Sequence, residues 1–186
     1  VMLKYIEPGK TVLEIGPGAG RWTVVLQGIA KHLILVDLSQ KCINLCKKRF
    51  AECDNIEFYV NDGSSLGFIP DETVDYVWSF DVFVHINPRE TDIYLTELSR
   101  VLTKGGRGII HHAKEGGRHG AWRSRMTSAL FCELLEKHGL TLVAQFDSWG
   151  DVERDHVGFY DAITVFEKCV PNCSVSEIIG QHGGLE

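Results

Sequence analysis

Five short runs rich in Val and Ile punctuate this chain, four of them followed by a segment with helical spacing, and that alternation leaves few folds open. TVLEI (11–15), HLILVD (32–37), IEFYV (56–60), VDYVWSF (74–80) and RGIIHHA (107–113) read as strands. Runs this apolar suit strands covered on both faces, as in a parallel sheet sandwiched by helices. The intervening segments supply those helices: Gly20 to Ala30, then Lys41 to Phe50 with Ser39 as N-cap and Cys42, Leu45, Cys46 and Phe50 on the packed side. Asn87-Pro88 opens another helix, which buries Leu95, Leu98, Val101 and Leu102 and is expected to stop at Gly105-Gly106. A helix from Thr127 to His138 ends at Gly139, and TLVAQF (141–146) and GFYDAITVFE (158–167) follow as two strands with no helix between them. The expected fold is therefore α/β: a doubly wound, mostly parallel seven-stranded sheet with an antiparallel edge strand and helices on both faces.

At 186 residues the chain suits one domain, read here as spanning 1–186 with 168–186 as a tail. Residue 1 is Val, which reads as an excised domain or a trimmed chain, and Leu185-Glu186 reads as a cloning scar outside the fold. No apolar run reaches the ~20 residues that span a bilayer, so no membrane role is expected. The net charge of −6 argues against nucleic acid as partner, because neutralising phosphates needs clustered Lys and Arg. Six cysteines, none in a CxxC pair, suggest neither a zinc ribbon nor a redox pair, and a reducing cytoplasm is the expected setting.

In a doubly wound sheet, ligands sit beyond the carboxyl ends of the strands, where strand order reverses. The loop after the first strand reads Gly16-Pro17-Gly18-Ala19-Gly20-Arg21. Its glycines allow a tight turn and a close backbone approach to a ligand at the start of a helix. A P-loop would need GxxxxGK[ST], which this loop does not have. A dinucleotide fingerprint would need Gly where Arg21 stands. Glu14, inside the apolar strand before the loop, is the sharper clue, since an ion buried without a partner is very costly. A ligand ammonium, a water, or a neighbouring Lys or Arg are the partners it could have.

VLEIGPGAGRWT (12–23) resembles the first motif of class I, Rossmann-like, S-adenosylmethionine-dependent methyltransferases. The resemblance implies that the loop of Gly16, Pro17, Gly18 and Gly20 wraps the methionyl part of the cofactor, next to Glu14. It implies that Asp37, 21 residues after Gly16, takes both ribose hydroxyls, with Leu38 against the adenine face. Asn61-Asp62-Gly63 is similar to the family's adenine-binding turn, in which the Asp accepts from the exocyclic amine. Ser79-Phe80-Asp81, ending the fourth strand, is where the family meets the methionyl group. ELSRVLTKGGRGII (97–110) is similar to the family's passage into the fifth strand. The resemblance spans Val12 to Ile110 and is topological beyond that.

Methyl transfer from a sulfonium mainly requires alignment and, for oxygen nucleophiles, removal of a proton. His85, at the end of SFDVFVH, is the candidate base, and Asp81 the alternative. His111 and His112 end the fifth strand, and alternation allows only one to face the pocket. His85, one of that pair and Asp81 could be imagined around a metal, but no ligand spacing supports it, so none is expected. The segment KEGGRHGAWRSR (114–125) carries Lys114, Arg118, Arg123 and Arg125 against Glu115, with Gly116, Gly117 and Gly120 as possible hinges. It fits an anionic substrate group, a lid, or simply a solvated loop. Trp122 and Trp149 suit either a pocket wall or the core. The reading reached is methylation of a small-molecule acceptor, oxygen favoured, with S-adenosylhomocysteine as product. Alternatives are an N-methyltransferase, a non-catalytic cofactor-binding module within a larger protein, and a transferase using decarboxylated cofactor, which would call for an acidic cluster on the acceptor side.

Overall fold

The computed structural model describes residues 1–117, 122–149 and 157–169. Arg118, Gly120, Cys173, the side chain of Trp149 and the tail from 170 onward lie outside the described residues. The elements run α1 (Met2–Tyr5), β1 (Thr11–Ile15), α2 (Thr23–Ile29), β2 (His32–Asp37), α3 (Gln40–Arg49), β3 (Ile56–Val60), β4 (Val74–Phe83), α4 (Pro88–Val101), β5 (Leu102–Ala113), α5 (Ser128–Lys137), β6 (Leu140–Trp149) and β7 (Val157–Lys168).

All seven strands share one sheet in the order β3-β2-β1-β4-β5-β7-β6. The first five are mutually parallel, and β7 runs antiparallel to both β5 and β6 at the closing edge. After β1 the chain winds outward through β2 and β3, then returns to place β4 on the other flank of β1. Strand order therefore reverses at the carboxyl ends of β1 and β4, which opens the crevice that this topology offers a ligand.

Both faces of the sheet are covered. On one, Tyr94, Leu95, Leu98 and Val101 of α4 and Phe131 and Leu135 of α5 pack on Leu13, Val77 and Ile110. On the other, Leu26 of α2 and Ile43 and Cys46 of α3 pack on Val12, Leu35 and Trp78. Burying each such large side chain contributes roughly 1.5–3 kcal/mol. Ser39 accepts from the Cys42 amide and Thr127 from the Leu130 amide, so both N-caps satisfy helix donors that would otherwise lack partners. Among the described residues no helix is long and apolar enough to cross a membrane.

Four expectations need correction. The packed side of α3 is formed by Ile43 and Cys46, continued by Phe50, while Leu45 is exposed. Helix α2 begins at Thr23 rather than Gly20, the glycine loop running on through Arg21 and Trp22. Helix α4 stops at Val101, because Leu102 turns extended to start β5; Gly105 and Gly106 then sit where three extra residues bulge out of the pairing with β4. β4 does not end at Phe80: it continues to Phe83 through a second irregularity, in which Ser79 to Phe83 faces only Ile110 to His112. Bulges of this kind re-aim side chains at sheet edges and active sites.

Candidate functional site

The crevice floor is the glycine loop. Gly16, Gly18 and Gly20 have φ of +72°, +56° and +82°, and the Gly20 amide donates to the Pro17 carbonyl at 2.8 Å to close the turn. A Cβ at Gly16 would lie 2.2 Å from Val82, and one at Gly20 would lie 2.5 Å from the Phe50 ring. Around Gly18 there is open space. Asp37, at the end of β2, closes over the loop: Oδ2 accepts from the Gly18 amide at 3.2 Å and Oδ1 from the Ser39 amide at 2.8 Å. Each carboxylate oxygen keeps a further lone pair, enough for a vicinal diol.

Glu14 is buried beneath the loop. Its Oε2 accepts from the Thr23 hydroxyl at 2.6 Å, and among the described residues no Lys or Arg pairs with it. Burial, offset in part by the Thr23 bond and reinforced by the Asp37 charge, pushes its pKa up to about 7. A carboxyl poised at neutrality ionises readily when a cationic ligand group arrives.

At the neighbouring strand ends, Leu38 is two-thirds exposed and its side chain stands 3.6 Å from the position a Cβ would take on Gly63. Leu38 and Gly63 thus lie side by side, and the exposed Leu38 side chain offers an apolar surface at the strand ends. Asp62 spends Oδ1 on the Ser64 and Ser65 amides, which hold its carboxyl below the usual carboxylate range. Its Oδ2 makes no hydrogen bond among the described residues. Asn61 accepts from the Gly63 amide and donates to the Tyr94 hydroxyl, fixing the turn. Ser79 is buried and donates to the Ile15 carbonyl at 2.9 Å, so its hydroxyl braces the start of the glycine loop.

The β4 bulge carries Asp81 at φ +62°, a conformation that ordinary residues rarely adopt. Its amide donates to His111 Nδ1 at 3.1 Å, while the His111 ring stacks on Phe80. Nδ1 is thus the acceptor, and the proton of the neutral ring sits on Nε2, 3.6 Å from the Asp161 carboxylate. Burial, with the nearby positive charge of His112, Arg123 and His85, lowers the His111 pKa to about 4. His112 points to the opposite face, stacked on Phe131, with Nδ1 bonded to the Ala113 carbonyl and Nε2 to the Thr164 hydroxyl. Burial lowers its pKa to about 4 as well. Among the described residues no three His, Cys, Asp or Glu side chains converge in a metal-binding group.

His85 lies just past the bulge, exposed, on the wall of a cavity of about 720 Å³. Asn87, Pro88, Arg89, Gly116, Gly117, Trp122, Arg123 and Arg125 complete its lining. Its Nδ1 is 3.0 Å from the Trp122 carbonyl, an oxygen that can only accept, so Nδ1 carries the ring proton and Nε2 holds the lone pair. Three more bonds clip residues 122–126 onto this segment: the Ser124 amide to the Val84 carbonyl, the Ser124 hydroxyl to the Ile86 carbonyl, and the Arg125 amide to Asn87 Oδ1. Asn87 therefore binds this strap and not the first turn of α4, whose expected side-chain cap is missing.

The cations of the basic segment have different partners. Lys114 pairs with Asp147 at 2.7 Å on the surface, and Arg123 pairs with the buried Asp161. Arg125 faces the cavity. Trp122 is 60% exposed, so it walls the cavity and is no core residue. Arg89, Thr23, Val82 and Asp161 were not singled out by sequence. A signal existed for Arg89, since a cation in the first turn of a helix runs against the helix dipole.

These residues fit S-adenosylmethionine: a diol acceptor in Asp37, an exposed apolar surface at Leu38 beside Gly63, open space at Gly18, and a buried acid of raised pKa under the loop. The "Methyltransferase domain" family matches residues 12–106. Squalestatin hexaketide synthase of Phoma sp. is 30% identical over 91% of this chain but 8% of its own length. Fatty-acid O-methyltransferase of Mycolicibacterium smegmatis is 36% identical over 53% of this chain and 35% of its own. The chain thus spans well under two thirds of these curated relatives. A SAM-dependent methyltransferase from Methanosarcina mazei superposes with TM-score 0.72 at 14% identity, covering 91% of this chain and 97% of that one, a likeness of fold.

Proposed function

Because this chain belongs to the S-adenosylmethionine-dependent methyltransferase family with the class I, Rossmann-like fold, we propose that it moves a methyl group from that cofactor to a small-molecule acceptor, with oxygen the favoured nucleophile and His85 the base. The bound cofactor supplies an already activated methyl, so the chain's work is placement and proton removal. Asp37, the glycine loop and the apolar surface of Leu38 beside Gly63 would hold the nucleoside, and Glu14 would answer the positive charge of the methionyl end. Asp62 Oδ2 would take the adenine amine. The backbone of the β4 bulge at Asp81 would border the methyl group, with the Asp81 carboxylate as the alternative base.

The observation that carries the oxygen reading is the tautomer of His85. With the proton fixed on Nδ1 by a backbone carbonyl, Nε2 would take the acceptor's hydroxyl proton, and the bound cofactor would supply the methyl that replaces it. His111 and His112 are committed to internal partners and do not line the cavity. His85→Ala should leave S-adenosylhomocysteine affinity unchanged while slowing methyl transfer to a hydroxyl acceptor ~10²–10⁴-fold. Release of S-adenosylhomocysteine against a panel of hydroxyl- and amine-bearing acceptors measures this. Near-normal turnover in the variant would remove His85 as base and favour an amine acceptor, which brings its own lone pair.

A second reading draws on coverage: nine tenths of this chain aligns with less than a tenth of a hexaketide synthase. On that reading the chain is a cofactor-binding unit of a longer polypeptide, and the absence of turnover with every acceptor, despite tight cofactor binding, would favour it. The thiols of Cys42, Cys46, Cys53, Cys132 and Cys169 are unpaired, which suits the reducing cytoplasm proposed as its setting.

A further inference from the structure

The cavity beside His85 gathers positive charge in a protein whose net charge is −6. Arg89 and Arg125 line it, both exposed, and among the described residues no carboxylate pairs with either guanidinium. The third arginine, Arg123, is spoken for by Asp161 and lies over the Trp122 ring at 4.5 Å, which holds the indole as a wall. The amino end of α4, a 14-residue helix, opens at the same place through Asn87, Pro88 and Arg89, and its first-turn amides have no side-chain cap. Glu90, the one acid in that turn, is not part of the lining.

Two guanidiniums and an uncapped helix end thus face one cavity, and among the described residues no acidic side chain lines it. Arg89 adds a cation where the dipole already presents about half a positive charge. Such a lining suits a dianion: a phosphate presents oxygens to bidentate arginines and to backbone amides at a helix amino end. A carboxylate brings one negative charge to two guanidiniums, whereas a phosphate brings nearly two and a third oxygen for the helix amides.

We propose that the acceptor is a phosphorylated small molecule, its phosphate held by Arg89, Arg125 and the amino end of α4, with Trp122 beside the remainder of the molecule and its hydroxyl presented to His85. This rests on the methyltransferase reading and adds the substrate class to it. The cavity and the glycine loop adjoin through one stretch of chain: Val82 sits on Gly16, and the His85 amide donates to the Val82 carbonyl at 3.0 Å. A phosphate in the cavity would thus anchor a substrate within reach of the crevice.

Calorimetric titration of the whole chain with inorganic phosphate, and separately with S-adenosylhomocysteine, tests the assignment. Phosphate should bind saturably at one site. Arg89→Gln and Arg125→Gln should each weaken it by roughly tenfold or more, as expected for loss of a charge-assisted hydrogen bond, while S-adenosylhomocysteine binds both variants as it binds the parent. That retained binding also shows that the variants are folded. Phosphate failing to bind, or binding both variants as well as the parent, would overturn the phosphate site and leave the cofactor reading standing. Failure of S-adenosylhomocysteine to bind the parent chain would overturn the reading on which the proposal rests. In turnover, a phosphorylated acceptor should lose its advantage over its dephosphorylated counterpart in Arg125→Gln; an advantage that persists would likewise overturn the site.

Discussion

Gly16, Gly18 and Gly20 share a left-handed backbone, yet each is required for a different reason. Gly16 lies under Val82 and Gly20 against Phe50, so a side chain at either collides with the fold itself. At Gly18 a side chain would meet nothing in the protein within 4 Å, and the space it would fill is the one the proposed cofactor site needs. Gly18→Val should therefore abolish S-adenosylhomocysteine binding while thermal unfolding stays cooperative, at a cost of about 1–3 kcal/mol from strain at φ +56°. Normal binding by that variant would reduce the loop to a structural turn. Sequence can identify the glycines, Glu14 and Asp37, because their oddness is local: an acid in an apolar strand, an acid at a strand end. It does not reveal Thr23 as the partner of Glu14, since a hydroxyl in the first turn of a helix is unremarkable until the fold swings it over β1. Arg89 and Arg125 are 36 positions apart, and only the strap of residues 122–126 brings them to one cavity.

Elements were legible where one period alone fitted. Helix α4 repeats apolar residues at Tyr94, Leu95, Leu98 and Val101, and that stripe is buried together with Thr91. In α3 two stripes fit nearly as well, 42/45/46 and 43/46/50, and the sheet beneath selected the second. Bulges are harder still, because an irregularity in pairing belongs to two strands at once. Nothing in SFDVF announces that two extra residues of β4 must be absorbed opposite β5, or that His111 will accept the amide this leaves at Asp81. The element-scale test is α4 itself. Leu98 is fully buried, and Leu98→Ala should cost roughly 2–5 kcal/mol in urea unfolding. Val143, nearly half exposed on the edge strand β6, should tolerate alanine within about 0.5 kcal/mol. Equal losses at the two sites would mean that the core is not where the helix stripe puts it.

For the molecule as a whole, the buried titratable groups set how stability follows pH. His111 and His112 titrate near 4 in the folded chain and near 6.5 when free, so the unfolded chain holds the extra protons between those values and stability rises with pH. Glu14 opposes them, titrating at about 7 when folded against 4.5 when free, so its share falls as pH climbs through that window. Each group acts with a slope of roughly 1.4 kcal/mol per pH unit where its two states differ by one proton. Two histidines outweigh one glutamate, so urea midpoints should climb between pH 4.5 and 6.5 and then dip slightly toward 7. Glu14→Gln should steepen the climb and remove the dip; an unchanged profile would mean that Glu14 is ionised in the fold. The strap has a consequence of another kind. The four bonds that fasten residues 122–126 to the end of β4 include the one that fixes the proton on His85. If Arg125 grips the acceptor and His85 is the base, as proposed, recognition of the acceptor's far end and the tautomer that deprotonates its near end would both depend on this one short piece of backbone.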